Sequence, residues 1–177
     1  LGCWVASYGV VDVNYSTRRF PDNNAWDYAY YVFSDAGAHA GNGSNTVLDS
    51  AAAALPINFS SAASNASSHA FGYSQSDDPK LMYCADDLTT QGAGNWWLAG
   101  CGLTGGTSGG AWIQPFDGAT GSGSIISVNS WGYNTSPGMA GPKLVGTSAA
   151  CVYQTAVTNT PALSGLDGDA GSKVSCP

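Results

Sequence analysis

The chain has 177 residues, enough for one domain with a real core, and a net charge of −7 with only 10% charged residues. That charge excludes nucleic acid as a partner, since phosphate binding needs Lys and Arg, and no apolar run is long enough to cross a membrane. All 12 acidic residues are aspartate and 24 residues are glycine, so strong helix formers are scarce; short Val, Thr, Tyr and Trp runs between Gly/Ser/Asn/Pro clusters predict an all-β protein.

The sequence opens at Leu1 with neither an initiator methionine nor a signal peptide, so an upstream segment is expected to have been removed or to lie outside these residues. Residues 3–13 read as a strand with a glycine kink at Gly9. Arg18-Arg19-Phe20-Pro21 and a turn-rich Asp-Asn-Asn follow, and Trp26–Phe33 reads as a second strand started by Asp27. Residues 35–46 are rich in Asp, Gly, Asn and Ser and read as a surface loop holding His39. Ala51–Ala54 suit a helical turn, residues 60–68 a loop, and His69 stands in a loop context. Pro79–Cys84 and Asn95–Cys101 read as strands, as do Gly110–Phe116 and Gly123–Trp131 across a glycine-rich turn. Lys143–Thr155 reads as the last strand, closing in a short helical turn, before a polar tail over 161–177.

Five cysteines occur, at 3, 84, 101, 151 and 176, with no CxxC pair, so neither a zinc site nor a redox motif is expected, and no metal or cofactor. Five Asn-x-Ser/Thr sequons stand at Asn14, Asn42, Asn58, Asn65 and Asn134. Together they favour a secreted glycoprotein with disulfides and N-glycans. The odd count leaves one cysteine free or paired outside the chain, and the partners of Cys3, Cys151 and Cys176 stay open.

The stretch with the most chemistry is Cys101-Gly-Leu-Thr-Gly-Gly-Thr-Ser-Gly-Gly-Ala-Trp112. Ser108 sits between glycines, which permit a tight turn, an exposed hydroxyl and bare backbone N–H groups. A glycine-rich turn without chemistry would have the same composition. A second patch decides between them: Ser130-Trp131-Gly132 follows Ser108 by 22 positions. Together the patches resemble the trypsin/chymotrypsin-like serine peptidases, with a Gly-x-Ser-Gly-Gly loop and a later Ser-Trp-Gly strand. The resemblance is strongest to a secreted microbial and fungal branch with a Thr-Gly-Gly-Ser-Ser-Gly-Gly-Pro-Trp motif. It runs from about residue 8 to about 157, loops excepted. The Arg-Arg segment, the Asp27-led strand, Ala70-Phe-Gly-Tyr, Tyr83-Cys84 and Met139-Ala-Gly-Pro all fit it.

This resemblance implies a chymotrypsin-like double β-barrel. Residues 1–60 would give the C-terminal part of the first barrel, with the aspartate, and 61–160 the second, with the serine. It implies a secreted serine endopeptidase acting on polypeptides, with Ser108 as nucleophile and Asp27 orienting a histidine. Asp27 as a plain turn residue is the simpler alternative. Gly106 and Ser108 N–H would form the oxyanion hole. Ser130–Gly132 would pair with the substrate backbone over Trp131, itself also suited to a core. Gly102, Leu103, Thr104 and Gly132 would wall a specificity pocket. With no aspartate there, a neutral side chain is the expected preference. The resemblance also implies a Cys84–Cys101 disulfide bracing the serine loop.

The family's histidine precedes its aspartate in an Ala-x-His-Cys segment, and no such segment occurs here. Neither His39 nor His69 takes that role. The histidine is therefore expected on an N-terminal segment or partner chain, unless the protein is a catalytically inactive extracellular glycoprotein with a binding or structural role. Thr107 stands where trypsin has an aspartate, so activation by an ion pair with a new N-terminus is not expected. Ala111 replaces a frequent proline.

Overall fold

The structure is a computed structural model that describes residues 4, 6–33, 47–158 and 171–177. In chain order its elements are β1 (Ala6–Asp12), helix α1 (Val13–Thr17), a 3-10 turn (Asn24–Trp26), β2 (Ala29–Phe33), helix α2 (Leu48–Ala51), β3 (Ser67–Gly72), β4 (Met82–Asp87), β5 (Thr89–Gln91), β6 (Asn95–Leu98), β7 (Ala111–Asp117), β8 (Ser122–Val128), β9 (Trp131–Gly132), β10 (Met139–Pro142), helix α3 (Ala149–Thr158) and β11 (Gly171–Val174).

Strands β3 to β10 make two four-stranded sheets, in the orders β4-β3-β7-β8 and β5-β6-β10-β9. Ala70, Leu88, Leu98, Cys101, Trp112, Ile126 and Met139 form one buried cluster. Alternation explains how: in β3, Ser68, Ala70 and Gly72 are buried while His69 and Phe71 face outward, the period-2 pattern of a half-buried strand. On that outer face His69, Phe71, Tyr83 and Phe116 form a row of ring contacts, with His69 and Phe116 4.9 Å apart. His69 is thus a strand residue, not a loop residue, because its neighbours on β4 and β7 pair with it.

A third sheet, β11-β1-β2, begins its second strand at Ala29, two residues after Asp27. Helix α3 packs on it, and Tyr8, Val10, Tyr28, Leu144, Ala149 and Val152 form a second cluster. The expected strand at Lys143–Thr155 is therefore corrected: the strand is Met139–Pro142, and Ala149–Thr158 is helical. Ala149, Val152 and Ala156 are its buried residues, the spacing of one helix face. The β-branched Val and Thr residues that suggested a strand are outweighed by this packing.

Other boundaries also move. The first strand ends at Asp12, whose carboxylate accepts the N–H of Asn14 at 2.7 Å and caps α1. The second strand begins at Ala29 rather than Trp26. The early helical turn is Leu48–Ala51, ahead of the expected Ala51–Ala54, and the loop of 60–68 gives way to β3 at Ser67. Residues 171–174 run parallel to β1 as a strand, and Cys176 is disulfide-bonded to Cys151 on α3. The surface-loop reading of residues 35–46 and most of the tail fall outside the described residues.

One buried network fixes where β2 begins. Asp12 is fully buried and accepts from Ser148 Oγ at 2.5 Å, and Ser148 Oγ lies 2.6 Å from Tyr28 Oη. A buried carboxylate is costly without donors, and this one has the Asn14 backbone, the Asn14 amide and Ser148. The residue locked into this network, Tyr28, directly follows Asp27.

Candidate active site

The loop from Ala99 to Gly110 joins β6 to β7 and carries Ser108. A disulfide between Cys84 on β4 and Cys101 ties its first part. Its second part is a tight turn: Gly110 N–H donates to Thr107 O at 3.0 Å, with Ser108 at the tip. Thr107 is buried, and its hydroxyl donates to Thr104 O at 2.8 Å. Ser108 is exposed. Among the described residues no acceptor takes the N–H of Gly106 or Ser108, nor the Ser108 hydroxyl. Gly106 has φ +101°, a conformation that favours glycine. Gly110 is required for space: a Cβ there would lie 1.9 Å from Phe71 O.

Asp27 closes the 3-10 turn, half-buried, with its N–H donating to Asn24 O at 3.4 Å. Ser130 Oγ donates to Asp27 Oδ2 at 2.5 Å across 103 positions of sequence. The phenol of Tyr15 titrates above its ordinary value, chiefly through the negative charge of Asp27, then through burial and a hydrogen bond to that carboxylate.

Ser130 leads into β9, an edge strand that pairs with β10 on one side. Beside it lies a cleft of about 570 Å³ lined by Gly102, Leu103, Thr104, Ser108, Ser130, Trp131, Gly132 and Met139, among others, with no charged residue among the described residues of its lining. Trp131 sits in a ring cluster with Trp97 at 6.0 Å, Tyr133 at 5.5 Å and the exposed Phe20 at 6.0 Å. The expected site residues thus largely meet at one cleft, with Asp27 joined through Ser130. Gly106 is in the same turn but not in the cleft lining.

His69 lies elsewhere, in the aromatic row on β3, and its Nδ1 is buried without a partner among the described residues. His39 lies outside the described residues. Of the sequons, Asn134 is exposed on the cleft rim and Asn65 is exposed with φ +58°. Asn58 is half-buried and accepts from the N–H groups of Ser60 and Ser61. The amide nitrogen of Asn14 donates to Asp12 at 2.9 Å. Asn42 lies outside the described residues.

Sequence reasoning missed one contact of Ser130 and the whole of Asn129. Ser130 was expected to act through its backbone, yet its hydroxyl is what reaches Asp27. Nothing in the sequence marks Asn129 beyond its place directly after Ile125-Ile126-Ser127-Val128, where asparagine is a poor strand former.

The sheets and their pairing define a chymotrypsin-like double-barrel fold, with open sheets, and solved structures of that class match it. No family model matches the sequence, and no curated protein is similar to it. The protease Anisep from Arthrobacter nicotinovorans superposes with a TM-score of 0.69 at 25% identity, over 88% of this chain and 68% of that one. The thermostable serine protease AL20 from an extremophilic microorganism gives 0.58 at 28% identity, over 78% of this chain and 63% of that one. A Glu endopeptidase gives 0.59 over 85% of this chain and 62% of that one; at 14% identity it shares the fold alone. The chain therefore spans between 62% and 68% of the length of these three proteases.

Proposed function

We propose that this protein is a secreted serine endopeptidase of the microbial and fungal branch it resembles, with its histidine supplied by an N-terminal segment or partner chain. One observation carries the reading: the hydroxyl of Ser130 bonds to Asp27 at 2.5 Å while Ser130 and Ser108 line one cleft. That bond ties the carboxylate to the rim of the cleft that also holds the exposed Ser108.

In this reading Ser108 Oγ attacks the scissile carbonyl and its proton passes to the imidazole that Asp27 orients. The C–N bond then breaks, the proton goes to the leaving amine, and water releases the acyl group from Ser108. The free N–H groups of Gly106 and Ser108 stabilise the oxyanion, an effect of about 3–4 kcal/mol per donor. The substrate backbone adds to the edge of Trp131–Gly132 as a short antiparallel strand. Gly102, Leu103 and Thr104 wall the pocket for the residue before the scissile bond, and its uncharged lining favours a neutral side chain. Secretion accords with two disulfides and with the sequons, of which Asn65 and Asn134 offer the most open positions for N-glycans.

A fluorophosphonate probe tests this. The intact secreted protein is expected to label at Ser108, and Ser108→Ala to abolish labelling. Absence of label on the folded wild-type protein would favour a non-catalytic extracellular glycoprotein on the same scaffold.

A further inference from the structure

We propose that Asn129 is a positioning residue for the nucleophile, holding the Ser108 turn in the geometry that acylation needs. The inference rests on the endopeptidase reading of Ser108.

Asn129 is 3% exposed and contacts the turn on both sides of Ser108. Before the serine, its Nδ2 donates to Thr107 O at 3.0 Å. After the serine, its backbone oxygen accepts from Gly109 N–H and its N–H donates to Gly110 O, each at 2.8 Å. Backbone pairing alone would secure only the glycine side. The amide is what reaches Thr107, and it also donates to Phe71 O on β3 at 2.8 Å.

The orientation of that amide is determined. Trp112 Nε1–H can only donate, and it does so to Asn129 Oδ1 at 2.7 Å. The oxygen must therefore face the indole, and both Nδ2 hydrogens are left for the two carbonyls. Gly110 makes the room: a Cβ there would stand 2.8 Å from Asn129 Nδ2. The next residue, Ser130, binds Asp27. Two consecutive residues thus hold the nucleophile turn and the orienting carboxylate, so residues 129–130 set the distance between them. Positioning matters at this scale, because a displacement of about 1 Å at a reacting group can cost roughly 100-fold in rate.

The test uses the intact secreted protein and a fluorophosphonate at a series of concentrations, giving a maximal labelling rate and a half-saturating concentration. Asn129→Asp keeps the oxygen facing Trp112 but turns an acceptor toward two carbonyls. Its maximal rate is expected to fall about 100-fold, with the half-saturating concentration unchanged. Should that variant not fold, Trp112→Phe leaves the amide in place and removes the donor that orients it; a fall of about tenfold is expected, the loss of one hydrogen bond. A residue with only a structural role would lower the melting temperature and the labelled fraction but leave the rate of the folded molecules unchanged. That result, in either variant that folds, overturns the proposal. Failure of the wild type to label overturns the endopeptidase reading, and this proposal with it.

Discussion

The hydrogen bond from Ser130 to Asp27 is the smallest unit on which the functional reading depends. A hydrogen bond to a charged group is worth about 1.5–3 kcal/mol, so its removal should be felt in rate. Ser130→Ala is expected to slow fluorophosphonate labelling by at least about tenfold while the fold persists, since Asp27 is only half-buried and water can replace the lost donor. On the endopeptidase reading, Asp27→Asn should cost far more, about 10⁴-fold, because the histidine it would orient is left in the wrong tautomer. Equal labelling rates across the wild type and both variants would separate Asp27 from the chemistry. Both effects would be read from rates on folded protein, checked by intrinsic fluorescence.

At the level of elements, the Ser108 loop has no strand or helix of its own between β6 and β7. It borrows order from what surrounds it: the Cys84–Cys101 bridge, the Asn129 contacts and the close approach of Gly110 to β3. The bridge closes a sequence separation of 17, for which chain entropy predicts about 3 kcal/mol. Paired replacement by alanine is expected to lower unfolding free energy by about 2–4 kcal/mol in denaturant titrations. Labelling should weaken with it, because the first half of the loop then lacks its anchor. Loss of stability with unchanged labelling would make the bridge purely structural. The motif around Ser108 was legible in the sequence because glycine, serine and threonine at fixed offsets are local information. The element boundaries near 143–158 were not, because Val, Thr, Cys and Ala suit either state until a packing surface selects one.

On the scale of the whole molecule, two clusters share the work: one between the two four-stranded sheets, the other between α3 and the sheet of β1, β2 and β11. The second contains phenols whose burial raises their pKa. Tyr28 is raised above its ordinary 10.0 mainly by burial, and Tyr30 is raised further, by burial and the neighbouring Tyr28 and Tyr153. A folded pKa above the unfolded one gives stability that is complete below about pH 10 and is lost as pH rises past it. Alkaline unfolding beginning near pH 10 is expected, with melting temperature against pH as the measurement. Tyr30 Oη has no partner among the described residues, so Tyr30→Phe should match or exceed the wild type in melting temperature and lose less stability above pH 10. A Tyr30→Phe protein with the same alkaline loss would place the titrating group elsewhere.

The sequence by itself announced the β-rich class and the Gly-x-Ser-Gly-Gly and Ser-Trp-Gly patterns on which the reading of Ser108 and Asp27 rests, because each is written in residues close together in the chain. Tertiary structure alone decided that Ser130 meets Asp27, that Asn129 holds the Ser108 turn, that Cys151 pairs with Cys176, and that 171–174 joins β1. These contacts join residues 22 to more than 160 positions apart. Their cost in chain entropy is met only when the whole fold forms, so no local pattern of residue types announces them.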